Sequence, residues 1–290
     1  MKLSVALRLG RVSNLPTVWT NVFTGVALAG AAAADARLAI LLVSLSLFYV
    51  GGMFLNDAFD SPFDARSRPE RPIPSGQVSS AQVYAVGFGM LAVGVGLLAW
   101  AGYGYEPFTQ WRPVLAGIAL AIAITFYNWH HKDNPLSPLV MGVCRLLVYL
   151  AAAYAVANIL PQPVFVAAFV LLCYLIGLTY TAKQEHLDRL GAVWPLVFLG
   201  VPVAYGIWLA TRQSSSLLPL LLFIGWTLYA LWLLRRRAKG DVPRAVVSLI
   251  AGIALLDSVI LAGHGAPLLA GLAVVAFVLT LSLQRWVSGT

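Results

Sequence analysis

Charged residues are scarce in this chain. Asp, Glu, Lys and Arg make up 10% of its 290 residues, whereas soluble globular domains contain about 25%. This scarcity excludes an ordinary water-soluble fold. Cysteine is also rare, and because Cys144 and Cys173 both fall within apolar stretches, we interpret them as packing residues rather than as a disulfide. The N-terminal segment lacks a convincing signal-peptide cleavage site.

Apolar residues dominate instead. Hydrophobic residues make up 60% of the chain, and the mean hydropathy is +0.83. A helix needs about 17–25 apolar residues to cross a bilayer, and ten successive stretches reach or approach that length. They are Leu15–Ala34, Leu38–Phe59, Ala81–Ala101, Pro113–Trp129, Ser137–Ala157, Val164–Thr181, Val193–Ala210, Leu217–Leu234, Ala245–Ala262 and Pro267–Leu283.

The periodicity of these stretches indicates helices. Strands of a membrane barrel alternate apolar and polar residues, whereas these stretches are apolar on every face. We therefore predict an all-α, polytopic membrane bundle of nine or ten transmembrane helices. The count depends on whether Gly263–Pro267 separates the last two spans.

The distribution of basic residues predicts an orientation. A formal net charge of +8 would suit nucleic-acid binding if the charges were clustered on one surface. If instead the N-terminus is cytoplasmic and ten spans follow, fifteen Lys and Arg residues lie on the cytoplasmic side and three on the other. This positive-inside pattern predicts a multi-pass protein, in a bacterial inner membrane, with no nucleic-acid partner.

An acidic segment follows the second apolar stretch. Asn56, Asp60 and Asp64 are spaced four residues apart, so a continuing helix would place them on one face. Asp57 lies beside the first of them. Pro62 is expected to loosen the helix and leave Asp64 in irregular backbone.

These residues suggest a phosphate site. Several carboxylates near hydrocarbon repel each other unless a cation lies between them. Mg²⁺ prefers oxygen ligands and commonly joins carboxylates to substrate phosphates. Arg66, Arg68 and Arg71 follow directly, and guanidinium groups pair with phosphate oxygens. We therefore predict a substrate with a phosphate head and a lipid-soluble tail, against the alternative of a solvated loop.

The order of residues in Asn56–Gly76 resembles a known signature. Asn-Asp-x-x-Asp-x-x-x-Asp, followed by Arg-Pro-x-Arg-Pro-Ile-Pro-Ser-Gly, is similar to the first motif of the UbiA superfamily of intramembrane prenyltransferases. The segments Arg8–Asn21 and Tyr127–Leu136 are similar to the family as well. The resemblance implies one integral membrane domain, residues 1–290, with a bundle of helices around a central cavity that opens to the cytoplasmic face.

The resemblance also implies an activity, namely Mg²⁺-dependent transfer of a prenyl group from an isoprenyl diphosphate to a small-molecule acceptor, expected to be aromatic. The implied catalytic residues are Asp60, Asp64, Lys183 and Asp188. The implied substrate-binding residues are Asn21, Asn56, Asp57, Arg68, Arg71, Lys132, Arg145 and Tyr180. The implied ligands of Mg²⁺ are Asn56, Asp60, Asp64, Glu185 and Asp188.

The second acidic motif departs from the family pattern. Relatives usually have two or more aspartates there, commonly four residues apart, whereas this chain has Glu185 and Asp188, three apart. The run Lys183–Asp188 is similar to the EboC-like branch of the superfamily. The departure leaves open one-metal chemistry, or a scaffold that binds or cyclises isoprenoids. A membrane transporter is the third alternative.

Four polar residues inside predicted spans or near their ends allow more than one interpretation. Asn21 fits an acceptor contact or a hydrogen bond between helices. Arg145 fits a site role or a structural ion pair. Asp257 is predicted to lie outside the site and to form hydrogen bonds across the bundle. His131, like the other two histidines near this face, is interpreted as an interfacial residue rather than a metal ligand.

Overall fold

Helices account for most of the structure. The computed structural model describes residues 1–132, 134–183 and 194–287, and no strand occurs within these ranges. The α helices are α1 (Leu3–Leu9), α2 (Leu15–Leu28), α3 (Arg37–Ser67), α4 (Ser80–Tyr103), α5 (Trp111–His130), α6 (Ser137–Val156), α7 (Gln162–Lys183), α8 (Gly200–Arg212), α9 (Leu217–Arg236), α10 (Asp241–Gly263) and α11 (Pro267–Leu283). A 3₁₀ segment, Trp194–Leu199, leads into α8.

The predicted fold class is confirmed. Eight of the described helical segments are long and apolar enough to cross a membrane. The helices α2 and α11 have 14 and 17 residues, fewer than the roughly 20 that span a bilayer upright. The exact number of spans, nine or ten, therefore stays a prediction.

Helix α3 is longer than the sequence predicted, and the expectation for Pro62 was wrong. The helix continues through Pro62 to Ser67, so Asp64 is helical. A proline removes one backbone hydrogen bond but fixes φ near the helical value. Beyond it, the Arg68 N–H donates to the Asp64 carbonyl at 2.7 Å and the Ser67 hydroxyl donates to the Phe63 carbonyl at 3.1 Å. These bonds hold the last turn.

The other end of α3 is fixed by an ion pair. The Arg37 backbone N–H donates to the Asp35 carboxylate at 2.9 Å, and the Arg37 guanidinium binds the same carboxylate at 2.6 Å. The hydrogen bonds from Arg37 lower the pKa of Asp35 below its ordinary value. The carboxylate therefore stays ionised where α3 begins, close to the positive end of the helix dipole.

Helix α10 lies at the centre of the bundle. Within its most apolar stretch, 89% of the residues are buried inside the protein, compared with 28% in α4. It packs against α2, α7, α9 and α11. The bundle has two main apolar clusters, one around α7 and α10 and one around α2, α3 and α5. Helix α6 contributes to both, so it joins the two halves.

Helices α2 and α6 approach closely at Gly25. A Cβ atom added there would lie 2.6 Å from the Tyr149 carbonyl oxygen and 2.9 Å from Cβ of Ala152. Atoms in a packed helix interface cannot approach that closely. Only glycine therefore permits this contact, which also places the polar residues of α2 next to α6.

Replacing Gly25 tests this packing. We expect Gly25→Ala to lower the free energy of unfolding by about 1–3 kcal/mol, because overpacking forces the helices apart. Gly89→Ala on α4 is the matched control, since no atom of the described residues lies within 4 Å of the added Cβ. Thermal unfolding in lipid nanodiscs measures both variants. Equal transition temperatures would contradict the close contact.

Candidate active site

The acidic face of α3 meets two arginines from other segments. Asp57 lies 3.3 Å from the Arg11 guanidinium and 3.4 Å from that of Arg71, measured between oxygen and nitrogen. Asp64 is buried and lies 2.8 Å from Arg71. Arg71 therefore joins two carboxylates that lie about two helical turns apart. This contact holds the segment after α3 back over the helix.

A separate cationic group faces Asp60. The Lys132 ammonium lies 2.8 Å from the Asp60 carboxylate, and the His131 ring nitrogen Nε2 lies 3.6 Å away. The same ammonium lies 3.8 Å from the centre of the Phe63 ring, within the range of a cation–π interaction. The α5–α6 connection is thereby held against the end of α3, and Lys132 and Asp60, both predicted as site residues, are in contact.

Arg11 is a site residue that the sequence analysis did not select. Its guanidinium donates to the Asn56 amide oxygen at 3.2 Å as well as to Asp57. Its φ is 41°, in the left-handed region, which costs a non-glycine residue free energy and often marks functional positions. The signal was present, because Arg11 lies in the Arg8–Asn21 segment that resembles the family.

Asn128 is the second residue that was missed. It is buried at the end of α5, accepts a hydrogen bond from the Asn56 amide at 3.2 Å and donates to the Gly52 carbonyl at 3.0 Å. These bonds fix the Asn56 side chain so that its oxygen faces Arg11. The available signal was its place in the Tyr127–Leu136 segment, which resembles the family.

An internal cavity lies beneath these residues, between α2, α3, α5 and α6. Its volume is about 80 Å³, small beside the roughly 300–1,000 Å³ of most ligand pockets. Asn128 and Met53 line the end next to the acidic face, Tyr49 and Arg145 line its middle, and Leu45 on α3 lies at the far end. Among the lining residues in the described part of the chain, Arg145 alone is charged.

Arg145 is held at the cavity wall by α2. Its guanidinium donates to the Asn21 amide oxygen at 2.9 Å and to the Thr17 hydroxyl at 3.2 Å. It also lies over the Tyr49 ring, 5.5 Å from the ring centre. Asn21 and Arg145, both predicted as substrate-binding residues, are therefore hydrogen-bonded to each other. Asn21 thus forms a hydrogen bond between helices, which was the alternative interpretation of this residue.

Asp257 is the partner on the far side of Asn21. Its buried carboxylate accepts hydrogen bonds from the Asn21 amide at 2.8 Å, the Thr20 hydroxyl at 2.5 Å and the Thr24 hydroxyl at 3.1 Å. The Tyr149 hydroxyl also donates to it. The predicted hydrogen bonding of Asp257 across the bundle is confirmed, and four donors offset the cost of burying this group.

The other residues predicted for the site are those of the second motif and Arg68. The Lys183 ammonium donates to the Asn134 carbonyl at 2.7 Å and to the Ser137 hydroxyl at 2.9 Å, so it holds the start of α6. Tyr180 lies in the last turn of α7, and Arg68 is exposed just after α3. Glu185 and Asp188 lie outside the described residues.

The donor set of α3 fits a hard divalent cation. Asn56, Asp57, Asp60 and Asp64 offer oxygen atoms from one helix, the ligand type that Mg²⁺ prefers while it keeps several waters. Within the described residues, no three His, Cys, Asp or Glu side chains form a metal-binding group by themselves. A cation bound here would therefore need further ligands, either from a phosphate substrate or from residues beyond those described.

Together these features define a class of protein. Acidic oxygens and basic side chains meet at one end of a membrane bundle, above an internal cavity, as expected of an intramembrane enzyme for lipid-soluble phosphates. The model of the UbiA prenyltransferase family matches residues 18–241. The chain belongs to this family of prenyltransferases, as its first motif predicted, whereas assignment to the EboC-like branch stays a prediction.

Two relatives illustrate the similarity. A digeranylgeranylglyceryl phosphate synthase of Methanopyrus kandleri is 30% identical over 215 residues, which cover 72% of each chain. A protoheme IX farnesyltransferase of Korarchaeum cryptofilum is 28% identical over 198 residues, 68% of this chain and 63% of the relative. Both are named for prenyl products or prenyl transfer, so the enzyme class is shown.

A solved structure has the same fold. The apo structure of a UbiA homologue from Aeropyrum pernix K1 aligns with a TM-score of 0.60 at 16% identity, over 91% of this chain and 96% of that one. At this identity the similarity concerns the fold only. The helical bundle described above is therefore the architecture of the family.

The position of Asn128 can be tested through stability. We expect Asn128→Ala to lower the free energy of unfolding by about 1–3 kcal/mol, because the Asn56 amide and the Gly52 carbonyl lose a buried partner. Thr125→Ala on the same helix is the control, since among the described residues its hydroxyl bonds only to the Ala121 carbonyl, within α5. Chemical unfolding monitored by tryptophan fluorescence compares them, and similar losses would contradict the assignment.

Proposed function

We propose that this enzyme transfers a prenyl group from an isoprenyl diphosphate to a small-molecule acceptor, with Mg²⁺ as cofactor and residues 1–290 acting as one domain. One observation supports this most: oxygen donors of α3 and the cations of Arg11, Arg71 and Lys132 converge above an internal cavity. Such a site suits a head group with about two or three negative charges and an apolar tail.

The reaction breaks the bond between C1 of the prenyl chain and the diphosphate oxygen. The electron pair of that bond leaves with the diphosphate, and a nucleophilic atom of the acceptor forms a bond to C1 and releases its proton. Bound Mg²⁺ would neutralise charge on the diphosphate, with Asn56, Asp60 and Asp64 as its ligands, together with Glu185 and Asp188 from the second motif.

The basic residues have roles that follow from their positions. Arg71 and Lys132 already face the carboxylates that would meet the substrate, so each can turn one N–H towards a phosphate oxygen. Arg68, exposed three residues before Arg71, would bind the terminal phosphate. Fixed positive groups that meet the developing charge of a leaving group are a large contribution to catalysis.

The side of the membrane and the acceptor remain part of the proposal. Fifteen basic residues against three support a cytoplasmic N-terminus and active site. An aromatic acceptor fits the mostly apolar cavity lining. The relatives are named for glyceryl phosphate and haem products, so family membership alone does not specify the acceptor.

Asp60 provides the first test of function. In nanodiscs supplied with geranylgeranyl diphosphate, Mg²⁺ and a panel of phenolic and glycerol phosphate acceptors, we expect pyrophosphate release. Asp60→Asn should lower it at least about tenfold, since it removes a charge from the metal and phosphate site. Exposed Glu70→Gln is the control. Unchanged turnover in Asp60→Asn would contradict the assigned site.

The metal requirement is tested separately. We expect EDTA to abolish pyrophosphate release and added Mg²⁺ to restore it, because two carboxylate motifs would otherwise face the diphosphate without an intervening cation. Asp188→Asn should raise the Mg²⁺ concentration needed for half-maximal activity. Full activity in EDTA would rule out the metal role, and binding without turnover would favour a scaffold with altered chemistry.

A further inference from the structure

We propose that the turn between α9 and α10, together with the lipid-facing side of α9, binds an anionic phospholipid of the bilayer. The phosphate group of the lipid meets the basic side chains of Arg235, Arg237 and Lys239, and an acyl chain lies along the aromatic residues of α9. This surface shares no residue with the candidate active site, so the inference does not depend on the proposed function.

The first observation is the concentration of positive charge in this short turn. Four of the five residues in Arg235–Lys239 are basic. The side chains of Arg235, Arg237 and Lys239 are exposed, and none of them lies within 4.0 Å of a carboxylate oxygen of the described residues. By contrast, the basic residues at the acidic face of α3 are paired with carboxylates. The turn therefore presents three cations that can meet an external anion.

The second observation is that an ion pair fixes the shape of the turn. The Arg236 guanidinium donates to the buried Asp241 carboxylate through two nitrogen atoms, at 2.8 and 2.5 Å. The Ala238 backbone N–H donates to the same carboxylate at 2.9 Å, and the Arg244 guanidinium lies 3.9 Å from it. Because these groups already surround Asp241, the turn closes on that carboxylate without drawing in its other three basic side chains.

The third observation is a row of aromatic side chains on α9 that leads to the turn. Trp226, Tyr229 and Trp232 follow one another at three-residue intervals, with ring centres 5.4 and 6.2 Å apart. The Arg236 guanidinium lies 4.6 Å from the centre of the Trp232 ring. Tyr229 and Trp232 are 42% and 50% exposed, so they face lipid in a bilayer. Tyr and Trp side chains favour the level of the head groups, which places the turn at the depth of lipid phosphates.

The charge is confined to one end of α9. The connection at the other end, Gln213–Ser216, contains no charged residue. The Gln284 amide donates to the Asn14 side chain at 2.9 Å and lies 3.5 Å from the Val247 carbonyl oxygen, so the first turns of α10 lie at the end of the bundle that carries the acidic face of α3. A phospholipid of that leaflet supplies both a phosphate and apolar chains at this depth, whereas a soluble anion would leave the aromatic row without a ligand.

The experiment compares lipids that differ in the charge of the head group. The full chain in detergent micelles is titrated with dioleoyl phosphatidylglycerol or with dioleoyl phosphatidylcholine, which carry the same acyl chains. Native mass spectrometry counts the bound lipids and gives an apparent dissociation constant, and the shift in unfolding temperature provides a second measurement. Geranylgeranyl phosphate is a third probe, because an isoprenyl phosphate also combines a phosphate with an apolar chain.

Two triple variants separate this site from a general effect of charge. The first removes the three unpaired cations of the turn and leaves the Arg236–Asp241 ion pair intact; it carries Arg235→Gln, Arg237→Gln and Lys239→Gln. The control triple removes the same total charge from exposed positions in other segments; it carries Lys2→Gln, Arg66→Gln and Arg285→Gln. Arg236 is left unchanged, because its loss would leave the buried Asp241 carboxylate without its main partner.

We expect the wild-type protein to bind phosphatidylglycerol about 10- to 100-fold more tightly than phosphatidylcholine, because each basic residue near a membrane surface adds to the attraction for anionic lipid. The triple variant of the turn should lose most of this preference, and the control triple should keep it. Trp232→Leu should weaken the binding of both lipids and leave their ratio unchanged, since it removes a contact with the acyl chain and no charge.

Three results would overturn the inference. The first is a triple variant of the turn that keeps the wild-type preference, and the second is a control triple that loses as much of it. The third is geranylgeranyl phosphate that binds the turn more tightly than phosphatidylglycerol, which would assign the surface to isoprenyl phosphates instead of bilayer lipid. If the triple variant of the turn does not fold, Arg237→Gln alone decides the question, with a smaller loss of the preference expected.

Discussion

Burying an ionised group away from water is the constraint on which this structure depends. A charge in a low-dielectric bundle is tolerated only with an opposite charge or several hydrogen-bond donors around it. The protein uses both solutions. At the end of α3, Arg11, Arg71 and Lys132 pair with carboxylates, and in the bundle interior Asp257 is surrounded by four neutral donors.

These two solutions connect segments that are distant in the sequence. The ion pairs of α3 bring the N-terminal segment and the α5–α6 connection to one site, whereas Asp257 joins α10 to α2 and α6. The site is therefore assembled by the same contacts that hold the bundle together. Gly25 contributes to this assembly, because the absence of a side chain there lets the polar face of α2 pack against α6.

The sequence was sufficient for the fold class and for the first motif, because hydropathy and a local spacing determine both. It was not sufficient where a contact joins distant segments. Asn128 and Arg11 lie in segments that resemble the family, but only the fold shows that both contact Asn56. The expectation that α3 would loosen at Pro62 was wrong, because it considered only the helix-breaking tendency of proline. It left out the hydrogen bonds that hold the turn after Pro62. The hydrogen bonds of Asn21 with Arg145 and Asp257 could not be predicted from the sequence, because they depend on the relative positions of three helices.

The length of α3 has a consequence for where the chemistry occurs. At 31 residues the helix is about 46 Å long, while the hydrocarbon layer is about 30 Å thick. Even a strongly tilted α3 must extend beyond the acyl chains. Since Asp60 and Asp64 lie near its C-terminal end, we expect a thicker or thinner bilayer to change their depth relative to the lipid head groups, or the tilt of α3.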